Sequence, residues 1–144
     1  MNLNVTKCYT LDQSTQSLIE LYSSRITAGF PSPGDDYVET KLDLNRYLIK
    51  NPTATYFVKV SGESMINAGI HDGDILIVDR SLEPKEGDIV IAELDGELTV
   101  KRLGRINKKL HLISENPDYE SIPVYQEANL QIWGVVSYAI HKTN

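Results

Sequence analysis

From Tyr56 onward the chain breaks into short runs rich in Val, Ile, Leu and Tyr, and Asp95-Gly96 separates two of them with no residue to spare. The runs are Tyr56–Val60, Ile75–Val78, Ile89–Leu94, Glu97–Leu103, Leu110–Ile113 and Leu130–Ile140. β-branched and aromatic residues bounded by turn formers predict strands. Asp-Gly between two such runs predicts a two-residue hairpin, which fixes the register of the strand that follows. Strand alternation then puts Thr99, Lys101 and Leu103 on one face. The chain is expected to be mainly β.

The residues before Tyr56 read differently. Leu11, Leu18, Leu21 and Tyr22 could share a helical face, but the segment is short and rich in Ser and Thr, so it is expected to be a weakly ordered, flexible arm. The prolines and glycines between Gly29 and Gly34 exclude helix there. One or two helical turns capped by Asp43 should follow, stopped at Asn51-Pro52. The expected organisation is an arm over residues 1–28, a linker and short helix over 29–55, and a β domain over 56–144. With every predicted strand after Tyr56, removing the arm should cost little of the core.

Two residues carry the chemistry. Ser64 lies in Val60-Ser61-Gly62-Glu63-Ser64-Met65 and Lys101 in Leu98-Thr99-Val100-Lys101-Arg102-Leu103. A serine hydroxyl is a weak nucleophile until a base removes its proton. Lysine can be that base only when neutral, which requires apolar burial that disfavours its ammonium form. Lys101 should therefore face inward and Arg102 outward. Gly62 allows a tight turn after the strand, and backbone amides beyond it are natural donors to a developing oxyanion. Taken singly, Ser64 reads as a helix cap and Lys101 as a solvated strand lysine. Ala28-Gly29, a small dipeptide ahead of Phe30-Pro31-Ser32-Pro33, offers a bond that a backbone-hugging nucleophile can approach.

Other chemistries find less support. The spacings of His71, His111 and His141 match no ligand motif, so neither a metal nor another cofactor is expected. A Ser–His–Asp triad stays open on spacing alone, although the serine is not in a Gly-x-Ser-x-Gly motif. The single Cys8 permits no internal disulfide and suits a reducing cytosol. Twenty acidic against 14 basic residues give a net charge of −6, which repels phosphate backbones and argues against sequence-specific DNA binding. No secretory signal opens the chain, and the apolar stretch Ile132–Ile140 is too short to span a bilayer. Asn116-Pro117-Asp118-Tyr119 reads as a turn.

Taken together, the serine and lysine motifs resemble those of the self-cleaving LexA-like serine–lysine peptidases, and within them the UmuD-type SOS mutagenesis proteins. The resemblance runs from Ala28-Gly29-Phe30-Pro31 through Ser61-Gly62-Glu63-Ser64-Met65, Asp72-Gly73-Asp74 and Thr99-Val100-Lys101 to Gly134-Val135-Val136. It implies a LexA/UmuD-like peptidase β-fold, cleavage at Ala28-Gly29 by Ser64 and Lys101, and an oxyanion hole from the backbone of Ser64 and Glu63. The Asn116–Tyr119 region would line the groove for the cleavage segment. Alanine at position 28 departs from UmuD itself, which has cysteine there. The resemblance further implies a cytoplasmic homodimer, cleavage stimulated by the RecA–single-stranded-DNA filament, and a Y-family, UmuC-like error-prone polymerase as partner. Two rivals stand beside it: a LexA or phage-type repressor fragment, whose DNA-binding domain 28 residues cannot hold, and a non-catalytic dimerisation and polymerase-binding module.

Overall fold

The computed structural model describes residues 3–12, 18–22, 38–124 and 129–144. All ten of its strands pair antiparallel: β1 Asn4–Thr10, β2 Ile19–Tyr22, β3 Val38–Leu42, β4 Thr55–Ser61, β5 Ile75–Asp79, β6 Ile89–Leu94, β7 Glu97–Ile106, β8 Lys109–Ile113, β9 Ile122–Pro123 and β10 Leu130–Ile140. The mainly β fold expected from the alternation is the fold observed. β6 and β10 span the residues predicted for them, and β4, β5, β7 and β8 extend the predicted runs by one to three residues.

Two compact units divide the chain, one of Met1–Leu11 with Asn51–Asn144 and one of Asp12–Lys50. In the smaller unit β2 pairs with β3, and helix α1, Leu44–Leu48, begins where the Asp43 carboxylate accepts the Asn45 N–H at 3.1 Å. The cap is the one predicted. The helical face proposed for Leu18, Leu21 and Tyr22 is not formed: Ile19–Tyr22 is a strand, its register set by Val38–Leu42. Long-range pairing outweighs a marginal local helix.

In the larger unit the sheet runs β1-β4-β5-β10-β6-β7-β8-β9, and Asn4 of β1 also pairs with Thr99 of β7. That contact closes six strands into a barrel-like ring and leaves β8 and β9 as an extension. Asp95 and Gly96 take φ of 51° and 83°, the left-handed pair that a two-residue hairpin needs, and Leu94 faces Glu97. Val58, Val60, Met65, Leu76, Ile91 and Val100 fill the main core, and Val90, Ala92, Leu103 and Leu112 form a second cluster.

β1 bears on the expectation that removing residues 1–28 costs little of the core. Leu3 has no exposed surface and packs in the main cluster, and β1 pairs with β4 from Asn4↔Ser61 to Thr10↔Tyr56. The local pattern conceals this strand because residues 6–10 are exposed and its anchors lie far away in sequence. The Ala28-Gly29 bond and the 29–34 linker lie outside the described residues. Leu3→Ala in the full chain should lower unfolding free energy by about 2–5 kcal/mol, the usual cost of truncating a fully buried leucine. Urea denaturation measures this, and a loss below about 0.5 kcal/mol would mean that β1 is no part of the core.

Candidate active site

β4 ends at Ser61, and Gly62, at φ 110°, turns the chain through Glu63 to Ser64 before the single-turn 3-10 helix Ile66–Ala68. The turn is tied down from outside. Gly62 N–H donates to the Asp72 carboxylate at 2.8 Å, and Ile66 N–H returns to the Glu63 carbonyl at 3.2 Å. Ser64 is fully buried.

Lys101 sits in the middle of β7, opposite Val90 of β6. Its side chain is 2% exposed, among the most buried large side chains of the chain. Burial disfavours the ammonium form and holds the amine below the ordinary lysine range. Nζ donates to Ser114 Oγ at 2.6 Å and lies 5.8 Å from the centre of the Tyr119 ring. Arg102 turns the other way, pairing with Glu115 through Nε and donating from Nη1 to the Gly87 carbonyl at 2.6 Å.

Two bridges join the serine turn to the lysine strand. One is Leu3: its N–H donates to Ser64 Oγ at 2.8 Å, while its carbonyl accepts from Thr99 Oγ1 at 2.9 Å and Val100 N–H at 3.2 Å. The other is the segment Ser114–Asn116. Ser114 takes the Lys101 amine, Glu115 N–H reaches Met65 Sδ at 3.4 Å, and Asn116 Nδ2 donates to the Glu63 carbonyl at 3.0 Å. Ser64 and Lys101 are thus bracketed by the same two segments. Asn116–Tyr119 is the turn that was expected, with Tyr119 N–H on the Asn116 carbonyl at 3.1 Å.

Leu3 and Ser114 were not legible as site residues from sequence. They carry no motif, and their contacts bridge 13 to 96 positions. His111 bonds through Nδ1 to the Lys109 carbonyl at 2.8 Å, Cys8 is exposed on β1, and His71 meets His141 elsewhere.

Burial of the lysine has a consequence for stability. Because the folded chain holds the Lys101 pKa below its unfolded value of about 10.4, the unfolded state binds more protons between those two values. The penalty is full at and below the folded pKa and vanishes as pH rises to about 10.4. Lys101→Met should therefore stabilise the protein near neutrality, with a gain that shrinks towards zero near pH 10. Thermal unfolding at several pH values checks this; a variant less stable than the parent at pH 7 would show that the amine is not a buried burden.

A family model described as Peptidase S24-like matches residues 20–137. Protein SamA of Salmonella typhimurium strain LT2 is 49% identical over 131 residues, covering 91% of each chain. Protein ImpA of Escherichia coli is 52% identical over 124 residues, 85% of this chain and 83% of its own. A LexA repressor of Acidithiobacillus ferrooxidans is 44% identical over 115 residues, 78% of this chain but 56% of the repressor. Among the described residues no helix is long and apolar enough to cross a membrane. With a family model over most of its length, and serine and lysine motifs that resemble those of the LexA-like peptidases, the chain belongs to the Peptidase S24-like family.

Proposed function

We propose that the chain is a self-cleaving serine endopeptidase in which Ser64 and Lys101 cut the Ala28–Gly29 bond. The observation that carries this reading is the burial of the Lys101 amine beside segments that also hold the Ser64 turn. Neutral Lys101 takes the Ser64 hydroxyl proton as Oγ attacks the Ala28 carbonyl. The N–H groups of Ser64 and Glu63 hold the oxyanion. Collapse breaks the C–N bond, and Lys101 returns its proton to the Gly29 amine. Water, deprotonated in turn by Lys101, then releases Ala28 from the serine ester. Ser114 acts as a positioning residue: it accepts a hydrogen bond from one amine N–H and so fixes where the lone pair points.

Leu3 adds a resting state. Its N–H engages one lone pair of Ser64 Oγ, which lowers the nucleophilicity of the oxygen while the bond lasts. After the cut, residues 1–28 are covalently free and stay only through non-covalent contact: β1 on β4 and β7, β2 on β3, and Leu3 in the core. Losing β1 would open the edge of β4 and the pocket of Leu3. Trimming is then an irreversible change of surface as well as of length.

The biological setting follows from the UmuD-type resemblance. On this reading the protein is a cytoplasmic homodimer, cut when a RecA–single-stranded-DNA filament forms after DNA damage, and the trimmed dimer serves a Y-family, UmuC-like polymerase in translesion synthesis. The acidic surface fits a protein that acts on DNA through partners.

Incubating the purified full chain and following its mass tests the chemistry. The parent should yield fragments 1–28 and 29–144, faster as pH rises and neutral Lys101 accumulates. Ser64→Ala should yield none, and Lys101→Ala should lose at least about 10²-fold in rate. Lys101→Arg should fail as well, because guanidinium stays protonated. Cutting by a folded Lys101→Ala chain at the parental rate would remove lysine from the mechanism, and no cutting by the parent at any pH would favour the non-catalytic module.

A further inference from the structure

A second cluster of reactive side chains lies outside the peptidase site. His71 stands in the loop between β4 and β5, and His141 directly follows β10. The antiparallel pairing of β10 with β5, with Ile140 opposite Ile75, brings them together. Their rings stack with centroids 4.2 Å apart and planes at 27°. Beside them is Asp74, whose side chain is 1% exposed.

The polar atoms converge. Asp74 Oδ1 lies 2.7 Å from His141 Nδ1, and Oδ2 accepts the His71 backbone N–H at 2.8 Å. His71 Nδ1 lies 3.8 Å from Oδ2, and this buried nitrogen has no hydrogen-bond partner among the described residues. The two ring nitrogens and a carboxylate oxygen all lie within 4.8 Å of one another. An unpartnered buried nitrogen costs stability. A cation that accepts the His71 Nδ1 lone pair gives that atom the partner it lacks.

We propose that His71, Asp74 and His141 bind one zinc ion through Nδ1, a carboxylate oxygen and Nδ1, with water as fourth ligand. The donor set suits zinc, which takes imidazole and carboxylate at about 2.0–2.2 Å in tetrahedral geometry. Ligand atoms around such an ion stand about 3.3 Å apart, so the cluster must close from its 4.8 Å span and the stacked rings must turn until both lone pairs meet the ion. Each histidine side chain is close to half exposed, which leaves a path for the ion and its water.

Its place in the fold gives the site a role. The loop that supplies His71 and Asp74 also holds β4 and the serine turn, through Gly73 N–H to the Val60 carbonyl at 2.9 Å, Val60 N–H to the Asp74 carbonyl at 3.0 Å, and Asp72 to Gly62. The ion therefore clips the end of β10 to the loop that supports the Ser64 turn.

Calorimetric titration of the metal-free full chain with zinc chloride tests this, in a Cys8→Ser background that removes the exposed thiol. One ion per chain should bind and raise the melting temperature. His71→Ala and His141→Ala should each weaken binding tenfold or more, about 1.4 kcal/mol, and the double variant should lose the melting shift. As a readout that needs no variant, zinc should move the imidazole resonances of His71 and His141 and leave those of His111 in place. Undiminished stoichiometric binding by the folded double variant, or zinc that leaves the His71 and His141 resonances unmoved, would overturn the site.

Discussion

A lysine amine kept out of water is the constraint on which the rest of this structure turns. Burying an ammonium group is expensive, and the fold accepts that cost at Lys101 in the middle of a ten-residue strand. The hairpin at Asp95-Gly96 sets which residues of β7 face inward, and a slip of one position would bury Arg102 instead. Guanidinium cannot shed its proton, so the register of one turn decides whether the site can hold a base at all. Ser114 and Tyr119 then meet the amine head, and the segment that carries them also grips the serine turn.

Leu3 stands at the other side of the same arrangement. Three main-chain contacts from this one residue reach Ser64, Thr99 and Val100, and the strand behind it closes the ring of six. The residue that completes the barrel also donates to the Ser64 hydroxyl. A chain built this way couples the order of its first residues to the hydrogen bonding of its serine. The proposed cut at Ala28 would make β1 and β2 parts of a separate peptide, held by strand pairing and by the burial of Leu3.

The sequence made the second half of the fold legible because its strands alternate and its tightest turn has a distinct chemistry. Asp43 announced the helix cap for a similar local reason. β1 stayed hidden, since five of its seven residues are exposed and its one deeply buried anchor, Leu3, precedes the strand. Ser64 and Lys101 stood out because two motifs coincided. Leu3, Ser114 and the pairing of His71 with His141 did not, because strand order alone brings them to their partners. Short-range pattern reports local geometry, and closure of a ring is not local.

The account rests on Lys101 being neutral at a pH where other lysines are charged. Direct titration of its side chain by carbon-13 NMR, with lysine labelled at Cε and the signal assigned from Lys101→Met, tests that claim most directly in a Ser64→Ala chain that stays intact. The account requires Lys101 to titrate clearly below about 10.4 and below the exposed lysines of the same chain, in the pH range over which the parent's cleavage rate rises. Titration together with the exposed lysines, near about 10.4, would contradict it and remove the base from the proposed mechanism.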